Sequence, residues 1–126
     1  MLKNFLALIY RRFFVAGRNS SEGLKDAFLK EEAFRVQVIL GLFLVPLACF
    51  IAISYQQLLL LLMAYFLVMI VELLNTCIEI VVDRIGPELH ELSGRAKDIG
   101  SAAVALSMFL FLVVWGLISA SNFGII

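Results

Sequence analysis

A chain of 126 residues that is 63% hydrophobic and 16% charged, with a mean hydropathy of +1.02, departs from soluble domains, which run about 45–50% apolar and about 25% charged. This excludes an ordinary soluble enzyme domain and points to a bilayer. Ten basic residues balance ten acidic ones, so no basic excess invites nucleic acid, and three spans of about 20 residues would leave little chain for a separate soluble domain.

The first residues, Met1 to Tyr10, have no small-residue cleavage site and run into Arg11 and Arg12, unlike a signal peptide. From Leu2 to Phe14, apolar positions such as Phe5, Leu6, Ile9 and Phe13 alternate with Lys3, Arg11 and Arg12, a pattern for a helix in the membrane interface. Ala16-Gly17-Arg18-Asn19-Ser20-Ser21 predicts a break, after which Ser20 or Ser21 caps a second surface helix.

A first apolar stretch over 36–54 has Gln37 as its one strongly polar member and contains Pro46, which predicts a kink. Tyr55-Gln56-Gln57 turns the chain into a second stretch over 58–82, which carries Glu72, Asn75 and Glu79. Residues 83–98 read as a polar connection with Gly86-Pro87 as its turn. A third stretch over 101–118 places Trp115 near an interface. The two cysteines, Cys49 and Cys77, sit inside apolar runs and read as small buried residues, not as a disulfide or metal pair.

The expected fold is all-α: three transmembrane helices preceded by amphipathic surface helices over 1–35, one domain spanning 1–126. Every Lys and Arg lies before Val36 or between Arg84 and Lys97. That distribution predicts a cytoplasmic amino terminus and an external carboxyl terminus.

An ionisable side chain at membrane depth is disfavoured by a few kcal/mol on insertion scales, so its presence asks for a function. At 100° per residue Glu72, Asn75, Glu79 and Asp83 fall within roughly 80° of one another, a polar stripe that must face other helices. Two readings follow. The stripe either bonds helices together or forms a site, in which the deeper Glu72 serves as a base and the shallower Glu79 holds a cation such as magnesium. The Gly-rich Lys-Ser/Thr loop and the His-Arg-Asp loop of soluble kinases are both missing from the sequence. The adjacent connection offers Glu88, His90, Glu91, Ser93, Arg95, Lys97 and Asp98, of which Lys97 suits a phosphate.

Three segments carry a resemblance. Val71-Glu72-Leu73-Leu74-Asn75-Thr76-Cys77-Ile78-Glu79, Val81-Val82-Asp83-Arg84-Ile85-Gly86 and His90-Glu91-Leu92-Ser93-Gly94-Arg95-Ala96-Lys97-Asp98 resemble the prokaryotic integral-membrane diacylglycerol kinase family. Glu31 to Arg35, reading Glu-Glu-Ala-Phe-Arg, extends the likeness upstream.

The resemblance implies a homotrimer in the bacterial inner membrane that moves the γ-phosphate of Mg-ATP to diacylglycerol, giving phosphatidic acid. It implies Glu72 as general base supported by Asn75, and Glu31 and Glu79 as carboxylates on Mg²⁺. Nucleotide contacts are implied for Arg12, Asn19, Glu31, Glu79, Glu88, Leu89, His90, Lys97 and Asp98. At Asn19 the family pattern has an aromatic residue instead. Lipid contacts are implied for Arg12, Gly23, Leu24, Lys25, Asp26, Ala33, Phe34, Arg35, Glu72 and Ser101. Undecaprenol is the alternative acceptor within the same family, although the Arg-Ile-Gly and Ser-Gly-Arg-Ala-Lys-Asp segments resemble the diacylglycerol branch. A small oligomeric channel or proton-linked transporter would also use Glu72 and Glu79 inside a bundle, but would have no use for the aligned Lys97-Asp98 pair.

Overall fold

The computed structural model describes residues 2–86 and 90–125, and among these it is helical with no strand. Four helices follow in order: α1 (Leu2–Lys30), α2 (Glu32–Ile51), α3 (Tyr55–Ile85) and α4 (Glu91–Asn122). The last three are long and apolar enough to cross a membrane.

The expected break at 16–21 does not occur, and α1 is one helix of 29 residues. Each weak helix former there disfavours helix by no more than about 1 kcal/mol, and none adopts a positive φ. The Ser21 hydroxyl instead bonds back to the Gly17 carbonyl at 2.9 Å, and Arg18 with Glu22 and Lys30 with Asp26 pair one turn apart. Among its described side chains only Ala27 is buried, as a surface helix requires.

One residue separates α1 from α2. Glu31 is extended (φ −100°, ψ 113°), yet its N–H still reaches the Ala27 carbonyl at 2.8 Å and its own carbonyl accepts from Arg35 at 3.1 Å. The chain therefore turns from surface helix to span at a single elbow, with the Glu31 carboxylate on it. α2 then continues through Pro46 to Ile51.

α2, α3 and α4 run up, down and up. At the end remote from Glu31, the Ser54 hydroxyl caps α3 by accepting from Gln57 N–H at 3.3 Å. Asn122 donates to the Ile51 carbonyl at 2.9 Å and exchanges bonds with the Gln57 amide at 2.9 and 3.1 Å. Such pairing is needed where water is scarce. Beside this latch Ala48, Ile51, Leu61, Ala64 and Trp115 form the apolar core, and the Trp115 indole N–H donates to the Leu61 carbonyl at 3.1 Å.

At the near end the helices outrun the apolar stretches. α3 has 31 residues and is about 46 Å long, against about 30 Å of hydrocarbon. Of the expected connection over 83–98, Asp83 to Ile85 continue α3 and Glu91 to Asp98 open α4. Apolarity marks depth in hydrocarbon rather than helix ends, and here the ends are set by caps. Gly86 closes α3 with φ +153°, a conformation that favours glycine, and the His90 ring Nδ1 caps α4 by accepting from Leu92 N–H at 3.1 Å.

Most of the apolar surface of the single chain is uncovered, and only 11% of the most apolar stretch of α4 is buried. Cys49 and Cys77 are exposed rather than the small buried residues expected, because neither points into the packed core between the spans.

Candidate active site

The polar stripe on α3 grades from buried to exposed. Glu72 and Asn75 are each 8% exposed, Glu79 is half-buried and Asp83 exposed. Each has a specific neighbour. Gln37 of α2 donates its amide to the Glu72 carboxylate at 3.3 Å. Asn75 donates to Glu79 at 2.9 Å. Lys97 of α4 pairs with Asp83 at 2.5 Å. Gly100 of α4 lies against the Asn75 amide, so that any Cβ there would overlap its oxygen. Close backbone approach at a small residue is how membrane helices bring polar side chains into contact.

A cleft of about 650 Å³ opens between α2, α3 and α4, with Glu72, Asn75, Gln37, Ala33 and Ser101 on polar and apolar walls. Glu31 on the elbow, the carboxylates of successive turns of α3 and Lys97 thus lie at the same end of the bundle. Three buried polar atoms, Arg35 Nε, Gln37 Oε1 and Asn75 Oδ1, have no hydrogen-bond partner among the described residues. Two of those side chains, Gln37 and Asn75, line the cleft.

Among the described residues no three His, Cys, Asp or Glu side chains group closely enough to cage a metal. A donor set of two separated carboxylates fits Mg²⁺, which takes one or two carboxylates and completes its shell with water and substrate phosphates.

The family model described as prokaryotic diacylglycerol kinase matches residues 18–119. The chain belongs to this family. The diacylglycerol kinase of Escherichia coli (strain K12) is 44% identical over 115 residues, covering 91% of this chain and 94% of that protein. That of Haemophilus influenzae is 48% identical over 97 residues, 77% and 82% of the two chains, and that of Helicobacter pylori (strain ATCC 700392 / 26695) is 41% identical over 107 residues, 85% and 84%.

Of the diacylglycerol kinase family residues expected from sequence, the fold gathers Glu72, Asn75, Glu79, Glu31, Lys97, Ala33 and Ser101 at one end of the bundle. Gly23, Leu24, Asp26 and Glu31 line a second cleft, about 480 Å³, against Leu73, Thr76, Cys77 and Ile80. Lys25 is exposed, and Phe34 is 2% exposed, inside the chain. Asp98 is exposed on α4, while the His90 ring caps that helix. Glu88 and Leu89 lie outside the described residues. Arg12 and Asn19 border a shallow cleft of about 410 Å³ made by α1 alone. Arg12 is 19 residues from the elbow, about 28 Å along the helix, so the single chain does not bring it to Glu72.

Sequence reasoning missed Gln37, Gly100 and the tie between Asp83 and Lys97. Gln37 had a visible signal as the one strongly polar residue in 36–54. Gly100 had none, because its importance is a contact across helices.

Proposed function

We propose that this member of the diacylglycerol kinase family transfers the γ-phosphate of ATP to the free hydroxyl of 1,2-diacylglycerol, giving phosphatidic acid and ADP. The observation that carries the reading is the buried Glu72 carboxylate at the wall of the three-helix cleft, held by the Gln37 amide, with Asn75 beside it in the same wall and bonded to Glu79.

Phosphoryl transfer needs little covalent work from a protein beyond positioning and charge stabilisation. Glu72 accepts the proton of the lipid hydroxyl. The hydroxyl oxygen forms a bond to the γ-phosphorus as the bond to the β-bridging oxygen breaks, and ADP leaves with that electron pair. Lys97 turns from Asp83 to the phosphates as a point charge. Glu31 and Glu79 are the side chains that would hold Mg²⁺, which neutralises phosphate charge when bound. Asn75 keeps Glu79 in place. The apolar walls of the cleft keep out water, which would otherwise compete as acceptor.

The enzyme works as a homotrimer in the bacterial inner membrane, with amino terminus cytoplasmic and carboxyl terminus external. One feature supports assembly: Arg12 and Asn19 stand remote from the site of their own chain. In a ring of copies, α1 of one chain can cover the cleft of the next.

The test is transfer of label from γ-labelled ATP to lipid in detergent micelles, with diacylglycerol and undecaprenol offered separately. Label in phosphatidic acid supports the reading. Label confined to undecaprenyl phosphate moves the chain to the alternative acceptor, and label in neither refutes kinase activity.

A further inference from the structure

Among the described residues Gln37 is the only side chain that hydrogen-bonds Glu72, and it is held from both ends. Its amide donates to the carboxylate at 3.3 Å, and its backbone carbonyl accepts from the Tyr65 hydroxyl at 3.1 Å. Both Gln37 and Tyr65 are buried. In a helix that carbonyl already receives the N–H four residues on, from Gly41, so the tyrosine occupies its second lone pair.

The approach exists because residue 41 has no side chain. A Cβ on Gly41 would overlap the Tyr65 hydroxyl and come within 2.7 Å of the ring Cζ. Tyr65 and Glu72 are seven residues apart on α3, two turns, and so share the face toward α2. One face of α3 thus holds Gln37 twice: Tyr65 grips its backbone, and Glu72 is gripped by its side chain.

We infer that Tyr65, seated in the notch at Gly41, and Gln37 are positioning residues that set the direction of the Glu72 carboxylate in the cleft. This rests on the reading of Glu72 as base and adds what aims it. The tyrosine fixes the height and rotation of α2 against α3, which a purely apolar contact would leave free to slide. With that register fixed, the Gln37 amide meets one carboxylate oxygen and leaves the other for the lipid hydroxyl. A base must lie within hydrogen-bond reach of the proton it takes, and displacement by about 1 Å lowers rates by as much as a hundredfold.

The experiment uses the full chain in micelles with diacylglycerol and Mg-ATP, and reads kcat and the KM for ATP separately. Tyr65→Phe keeps the ring that fills the notch and removes only the hydroxyl, so kcat falls roughly tenfold with the nucleotide KM unchanged. Gln37→Met, which keeps length and loses the donor, lowers kcat at least as far. If Tyr65 acts through Gln37, the double variant is no slower than Gln37→Met alone. Gly41→Ala drives the ring from the notch and reproduces the loss by a second route. Wild-type kcat in Tyr65→Phe, or losses that multiply in the double variant, overturns the inference. Glu72→Gln in the same assay separates the two claims. An inactive Glu72→Gln beside a fully active Tyr65→Phe refutes the positioning alone, and an active Glu72→Gln refutes the base and the positioning together.

Discussion

Gly100 of α4 sits against the Asn75 amide of α3, in a space that a single methyl group would fill. That contact sets how near α4 comes to the polar stripe. Gly100→Ala is expected to push Asn75 from Glu79 and to lower stability by about 1–3 kcal/mol, the usual range for overpacking. Denaturation of the purified protein in detergent, followed by helical circular dichroism, measures the change. An unaltered midpoint together with unaltered activity would mean that the helices are not pressed together there.

Glu72→Gln keeps the shape of the side chain and removes its basicity. Turnover should drop by at least about a hundredfold, the low end of what a positioned base contributes, while ATP affinity and assembly persist. Steady-state kinetics and equilibrium nucleotide binding on one preparation give both quantities. Turnover near wild type would assign the proton to another acceptor.

Glu31→Gln and Glu79→Gln each remove one carboxylate from the pair that fits Mg²⁺. Both variants should need more magnesium for half-maximal rate, and the requirement should shift further for Glu79, which also loses the charged partner of Asn75. Titration of Mg²⁺ at fixed ATP decides it. Identical magnesium curves for variants and wild type would exclude both as ligands.

The clustering of basic residues predicts which end of the bundle meets the cytoplasm. With Cys49 and Cys77 replaced by alanine, single cysteines at Gln56 and at Glu91, both exposed, should label oppositely with an impermeant maleimide added to intact cells. Gln56 should react and Glu91 should not. The reverse pattern would invert the topology.

Mixing tests whether neighbouring chains complete one another's sites. A chain lacking the base, Glu72→Gln, and a chain lacking the ammonium, Lys97→Leu, are both expected to be inactive. In this single chain Lys97 already pairs with Asp83, one turn beyond Glu79 on α3, so a site built wholly within one chain predicts background activity at every mixing ratio. A site that takes Glu72 from one copy and Lys97 from the next predicts activity peaking at intermediate ratios. Co-assembly against ratio, with mixed oligomers verified by crosslinking, separates the two.

Much of the fold could be read from the chain because membrane insertion is governed by local composition. Three apolar stretches long enough for hydrocarbon became α2, α3 and α4, and the helical period placed Glu72, Asn75, Glu79 and Asp83 on one face. The helix ends were less legible. The break expected at 16–21 is absent, since no residue there compels one, and α4 begins at Glu91 because a histidine cap and good helix formers carry a helix beyond the hydrocarbon.

What the sequence by itself determined is membership of a membrane kinase family, the number of spans and the depth order of the carboxylates, all of which depend on residue type and spacing along one chain. Only the tertiary structure decided which partners those carboxylates have. Gln37 reaches Glu72 across 35 residues and Trp115 reaches the Leu61 carbonyl across 54, while Gly41 and Gly100 matter for the side chains that fill the space they leave. Such pairings depend on the height and rotation of one helix against another, set by packing between segments remote in sequence, which no local pattern records.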